Sequence, residues 1–212
     1  MRSRSVGTRI LHATLALPAL PERLRADCAR EISSRLALEP GDVEPLSLVR
    51  ARSRWPDYRM SVQALFDWAR GYGLDDTLAG ADQALMACRG AALHHDGARY
   101  GGFAFCNLFV SEERALDVLF PLAGLRIPLE RGTALVFDTC QPHAVVPRGS
   151  PDFDPADFTP GHDRDQLFLT WELPVEAAPV AKALGITFDI DPATASTLEQ
   201  EQLWLDGSPL AL

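Results

Sequence analysis

The character of the chain changes after residue 82. From there short apolar runs follow one another, separated by Gly, Pro and Asp: 84–93 (ALMACRGAAL), 102–110 (GFAFCNLFV), 124–129 (GLRIPL), 133–138 (TALVFD), 143–147 (HAVVP) and 166–173 (QLFLTWEL). Each has strand length, and several are rich in Val, Phe and Thr, residues that fit a pleated surface. The first third reads differently. Residues 9–17 read as a strand or a buried apolar segment. Pro21 suits the start of a helix, and Leu24, Cys28, Ile32 and Leu36 recur every fourth residue, as one helical face requires. Pro40-Gly41 ends that helix. A second helix is expected from Ser61 as N-cap, with Val62, Leu65, Phe66 and Ala69 as its apolar stripe and Gly71 and Gly73 closing it. Helices first and strands afterwards predict an α+β fold, mostly β, with an antiparallel core and helices packed on one side.

At 212 residues, 47% of them hydrophobic, the chain can bury a full core, and one domain is the default. The expected division is an N-terminal support over 1–81, a β-core over 82–174 and an extension over 175–212, in which Trp204 could serve as an anchor. The net charge of −9 and pI of about 5.0 disfavour nucleic acid as a partner. No two of Cys28, Cys88, Cys106 and Cys140 form a C-x-x-C pair, which argues against a zinc knuckle. The N-terminus lacks the apolar run of a secretory signal, and no stretch approaches a membrane span of ~20 apolar residues. A cytoplasmic protein without membrane partners is the expectation.

The chemistry is concentrated in LHHDG, residues 93–97. If the triplet His94-His95-Asp96 leaves the end of a strand, positions i and i+2 share a face. His94 and Asp96 could then bind one metal while His95 points away. His143, 47 residues after Asp96 and just beyond the apolar run TALVFD, supplies the third ligand. Two histidines and one carboxylate occupy one face of iron(II) and leave the other coordination sites open, the arrangement of non-haem iron oxygenases.

Over roughly residues 84–173 the chain resembles the iron(II)- and 2-oxoglutarate-dependent dioxygenases of the prolyl-hydroxylase kind. The resemblance is carried by the H-x-D triplet and by ERGTALVFDTCQPHAVVPRG, with its Gly turn at Arg131-Gly132, apolar strand Thr133–Asp138 and distal His143. It implies a double-stranded β-helix (jelly-roll) core. Fe(II) would be held by His94, Asp96 and His143, with 2-oxoglutarate as cosubstrate and O2 as oxidant. The default outcome is hydroxylation of a small-molecule or peptide substrate, with release of succinate and CO2. Related halogenases replace the carboxylate with a small residue, so Asp96 favours oxygenation. The family places an arginine on the last core strand against the far carboxylate of 2-oxoglutarate; Arg164 is the match, with Arg148 and Arg126 as rivals. Asn107 either meets the cosubstrate or is a satisfied core amide. A cupin-type metal enzyme without 2-oxoglutarate and a non-catalytic binding protein on the same barrel are the alternatives.

Residues 147–163, rich in proline and aspartate, read as a long loop of the kind that gates a site. His162 within it reads as solvated. Cys140 reads as a small buried hydrophobe. The arginines at 50, 52, 54 and 59 read as a solvated basic face.

Overall fold

The computed structural model describes residues 4–159 and 163–189, together with the backbone of two short strands nearer the C-terminus. The elements are β1 (Leu11–Thr14), α1 (Glu22–Glu31), β2 (Val43–Leu46), α2 (Leu48–Arg52), α3 (Tyr58–Arg70), α4 (Asp75–Ala79), β3 (Gln83–Cys88), β4 (Ala91–His94), α5 (Gly97–Tyr100), β5 (Phe103–Phe109), β6 (Leu116–Phe120), β7 (Leu125–Pro128), β8 (Thr133–Asp138), β9 (His143–Pro147), β10 (Gln166–Pro174), α6 (Ala178–Leu184), β11 (Trp204–Leu205) and β12 (Ser208–Pro209). No helix among the described residues is long and apolar enough to cross a membrane.

The pairing of β3 to β10 is nested. β3 pairs with β10, β4 with β9, β5 with β8, and β6 with β7, all antiparallel. A long hairpin wound into two facing sheets has that pairing, which is the jelly roll. The larger sheet runs β1-β8-β5-β10-β3-β2 and the smaller β4-β9-β6-β7. The N-terminal strands β1 and β2 therefore extend both edges of the larger sheet.

Alternation along the strands builds two cores. On β10, Leu167, Leu169, Trp171 and Leu173 face the helical layer and pack with Leu24, Cys28, Leu65 and Ala69. Phe168 faces the other sheet and joins Phe109, Val118, Phe137 and Val145 between the sheets.

Three local expectations change. The run 84–93 is two strands, because Arg89-Gly90 turns the chain; Gly90 has φ +70°, and a Cβ there would lie 2.4 Å from the Phe158 ring. The second helix starts at Tyr58 with Asp57 as N-cap, and Ser61 is buried inside it, its hydroxyl donating to Asp57 O at 3.1 Å. The segment Leu116–Phe120, not expected as a strand, is β6, with Asp117 buried on its outer face.

Candidate metal centre

His94 ends β4 and His143 opens β9, and the two stand directly opposite in the sheet register. Their rings are 4.5 Å apart. Asp96 arrives by a different route from strand alternation. β4 stops at His94, and Asp96 is the N-cap of α5 (φ −94°, ψ 2°). It is held there by its N–H donating to Thr139 O and by Tyr100 N–H donating to its carbonyl, both at 2.8 Å. The turn swings the carboxylate back: Asp96 Oδ1 lies 3.7 Å from His94 Nε2, and Asp96 Oδ2 lies 3.7 Å from His143 Nε2. One ligand atom from each of the three residues falls within 4.8 Å of the others.

Backbone carbonyls orient both rings. His94 Nδ1 is 2.8 Å from Ala92 O and His143 Nδ1 is 3.0 Å from Gln141 O. With Nδ1–H donating to those carbonyls, each Nε2 keeps its lone pair toward Asp96, the usual outer support of a metal-binding histidine. Burial, with His94 alongside, pulls the pKa of His143 down to about 4, so its imidazole is neutral at physiological pH and available as a donor. Phe137 and Phe120 pack on the His143 ring at 4.9 and 5.8 Å. Side-chain exposure falls from 39% at His94 through 26% at Asp96 to 10% at His143, so the cluster opens to solvent on one side. The donor set and its spacing fit a mononuclear iron(II) ion.

A buried ion pair, not anticipated from the sequence, braces the centre from behind. Arg4 donates to both oxygens of Asp138 at 2.6 and 2.9 Å, and its Nη2 donates to Gly101 O at 2.7 Å and to Cys140 Sγ at 3.0 Å. Asp138 also accepts from the N–H groups of Gly7 and Cys140. Gly101 closes the helix that Asp96 caps, and Cys140 stands three residues before His143. Arg4 thus ties together the two segments that carry Asp96 and His143. Burial opposes its charge, but the hydrogen bonds and charge of Asp138 prevail and raise its pKa. The available signal was Asp138 itself, a carboxylate ending an apolar strand that needs a cation when buried.

The three arginines weighed for the cosubstrate take two places, and the buried Nη1 of Arg164 has no hydrogen-bond partner. Arg164 lies two residues ahead of β10; its guanidinium sits 5.9 Å from the Phe158 ring centroid and 3.8 Å from Asp157. Arg126 and Arg148 bind Asp117 on the outer face of the smaller sheet, at 2.8 and 3.1 Å. No inward position on β3 to β10 carries Lys or Arg. Asn107 does face inward, opposite Thr170; it is 8% exposed, and its Oδ1 has no hydrogen-bond partner.

The 147–163 loop leaves the far end of β9. His143 and Pro147 are the strand's two ends, roughly 13 Å apart at 3.3 Å per residue. The described part of the loop, through Thr159, folds over the end of the barrel away from the triad, where Phe153 and Phe158 stack at 5.2 Å and cover Gly90. The gating expectation is corrected accordingly: strand direction carries this loop away from the site. His162 lies outside the described residues. Cys140 is fully buried against Arg4 and Val6. Arg50 and Arg54 pair with Glu31 and Asp27 around a surface hollow of about 600 Å³ that shares no residue with the triad.

No family model matches the chain, and no curated protein matches it. Solved structures do. A viral collagen prolyl hydroxylase from Paramecium bursaria Chlorella virus-1 is 8% identical over 78% of this chain and 89% of its own, with a TM-score of 0.45. A Pseudomonas putida prolyl-4-hydroxylase is 19% identical over 78% and 92%, with a TM-score of 0.45. A non-haem α-ketoglutarate-dependent carbocyclase from nogalamycin biosynthesis is 10% identical over 80% of each chain, with a TM-score of 0.43. These are proteins the chain is similar to; its jelly roll is read from the nested pairing of β3 to β10.

Proposed function

We propose that the chain is a mononuclear iron(II) oxygenase. In this reading His94, Asp96 and His143 hold the metal, and the reaction oxidises a C–H bond of a small molecule or of an amino-acid or peptide substrate. The observation that carries the reading is the convergence of two Nε2 atoms and one carboxylate at one end of the barrel, with both Nδ1 atoms committed to backbone carbonyls. The chemistry iron(II) supplies in such a triad is activation of O2 at the positions the protein leaves open. This chain's own contribution is placement. β4 and β9 aim the histidines, α5 returns the carboxylate, and Phe120 and Phe137 shield the inner side of His143 from water.

The cosubstrate is a separate matter. 2-Oxoglutarate requires a basic partner for its far carboxylate, and the arginine we assign to it is Arg164, at the entry to β10, whose buried Nη1 has no hydrogen-bond partner. The approach of Arg164 to Asp157 at 3.8 Å favours, as a second reading, a cupin-type iron enzyme on the same barrel that works without 2-oxoglutarate.

Anaerobic titration with Fe(II) tests the metal: the wild-type chain should bind one equivalent and His143→Ala none. Equal binding by both would remove the proposal. Admitting O2 with and without 2-oxoglutarate, and assaying succinate, separates the two readings. Succinate formed in step with turnover restores the expected cosubstrate, whereas O2 uptake without succinate selects the second.

A further inference from the structure

Cross-strand register places a row of side chains on the inner face of the larger sheet at the level of the metal centre. Phe137 on β8 pairs with Phe105 on β5, and Phe105 pairs with Glu172 on β10. Phe137 touches the His143 ring at 4.9 Å. Two strand spacings put Glu172 roughly 10 Å across the sheet from Phe137, on the same inner face. Directly paired residues have Cβ atoms about 5 Å apart, so the Glu172 carboxylate stands beside the Phe105 ring. That ring is itself edge-packed by Tyr100 at 5.1 Å.

One pleat deeper, the paired residues are Asn107 and Thr170. Glu172 is half-buried; its backbone N–H donates to Asp82 O at 3.3 Å, and its carboxylate makes no hydrogen bond or ion pair with a described residue. Asn107 is more than nine-tenths buried with an orphaned Oδ1. A buried acceptor without a donor is costly, and native structures rarely leave one so unless something else supplies the donor.

The groups on this wall are complementary to one kind of ligand. A carboxylate and an amide oxygen accept hydrogen bonds, an aromatic face attracts cations, and no inward cation on β3 to β10 competes for them. The charge of −9 adds a field of the same sense.

We propose that Glu172, with Asn107 and the Phe105 ring, forms the substrate-recognition wall of this site and selects a substrate bearing an ammonium group. This rests on the oxygenase reading, and it names the substrate class for that site. Glu172 is a specificity-determining residue. It bonds the ammonium head, and the Phe-lined interior takes the apolar body. The same carboxylate repels anionic substrates.

The test uses three matched probes: 2-phenylethylammonium, 2-phenylethanol and 2-phenylethanesulfonate. Each is titrated by calorimetry into the metal-free and the Co(II)-loaded protein. The ammonium should bind about ten-fold or more tightly than the alcohol, the range of a charge-assisted hydrogen bond, and the sulfonate weakest. Glu172→Gln should erase the difference between ammonium and alcohol, Glu172→Asp should keep part of it, and neither should change Co(II) stoichiometry or Tm. Equal binding of the alcohol or sulfonate, or an unchanged preference in Glu172→Gln, overturns the proposal. Failure to take up Co(II) overturns the oxygenase reading instead, and the metal-free titration then still decides the recognition wall.

Discussion

The two ends of the barrel are built from the same strands and differ in almost every other respect. At one end β4 stops, β9 starts, and polar side chains gather: His94, Asp96, His143 and, across the sheet, Glu172. At the other end the long loop after β9 folds back, and its Phe158, 2% exposed, fills the space over Gly90. Arg89 and Asp165 lock that end with paired hydrogen bonds at 2.7 and 2.8 Å. The sealed end spends its residues on stability. The open end instead gathers ionisable side chains, with ligand atoms of His94, Asp96 and His143 within 4.8 Å of one another. The contrast teaches that loop length alone does not mark a gate, since here a long loop seals the end opposite the triad.

The largest expected effect falls on the open end. His143→Ala should reduce Fe(II) or Co(II) uptake from one equivalent to none, while Phe158→Ala at the sealed end should leave uptake unchanged; metal analysis after gel filtration checks both. Loss of metal from Phe158→Ala would break the contrast. Next is Arg4→Ala, which strands the fully buried Asp138. Removing one partner of such a pair costs about 3–5 kcal/mol. Because Arg4 braces both ligand segments, metal affinity should also fall, by the roughly 10- to 100-fold typical of lost outer support. Denaturant melts and competitive metal titration measure the two effects.

Phe158→Ala comes third, at about 3 kcal/mol for a truncated buried aromatic, read in Tm with metal affinity constant. The smallest effect is that of Arg148→Ala. Its side chain is 39% exposed, and Asp117 keeps Arg126, so the loss should stay below about 1 kcal/mol. It should leave any response to 2-oxoglutarate unaltered. A large change in that response would return Arg148 to the site and sharpen the cosubstrate question.

Much of this was legible from local patterns. The runs at 102–110, 133–138 and 143–147 became β5, β8 and β9 because apolar residues on a strand buried on both faces need no partner to be recognised. β6 was not legible. Asp117 interrupts its apolar residues and is neutralised by arginines 9 and 31 positions further along the chain, a compensation invisible to any local window. Ser61 misled for a related reason: its hydroxyl satisfies an i−4 carbonyl inside the helix where a cap was expected.

The sequence by itself determined the types and spacing of the ligand residues, the order of helices and strands, and the two-residue period that puts His143 on an inner face. It did not determine the faces and ends that matter for function, because a period of two says which residues share a side and nothing about which strand lies opposite. Only the tertiary structure decided that α5 turns Asp96 back onto the histidines. Only it decided that Arg4 meets Asp138 across 134 positions, that Arg126 and Arg148 are taken up by Asp117, and that the long loop leaves from the other end. Each of these depends on contacts between residues far apart in sequence, and their energies are settled only when the two sheets close on one another.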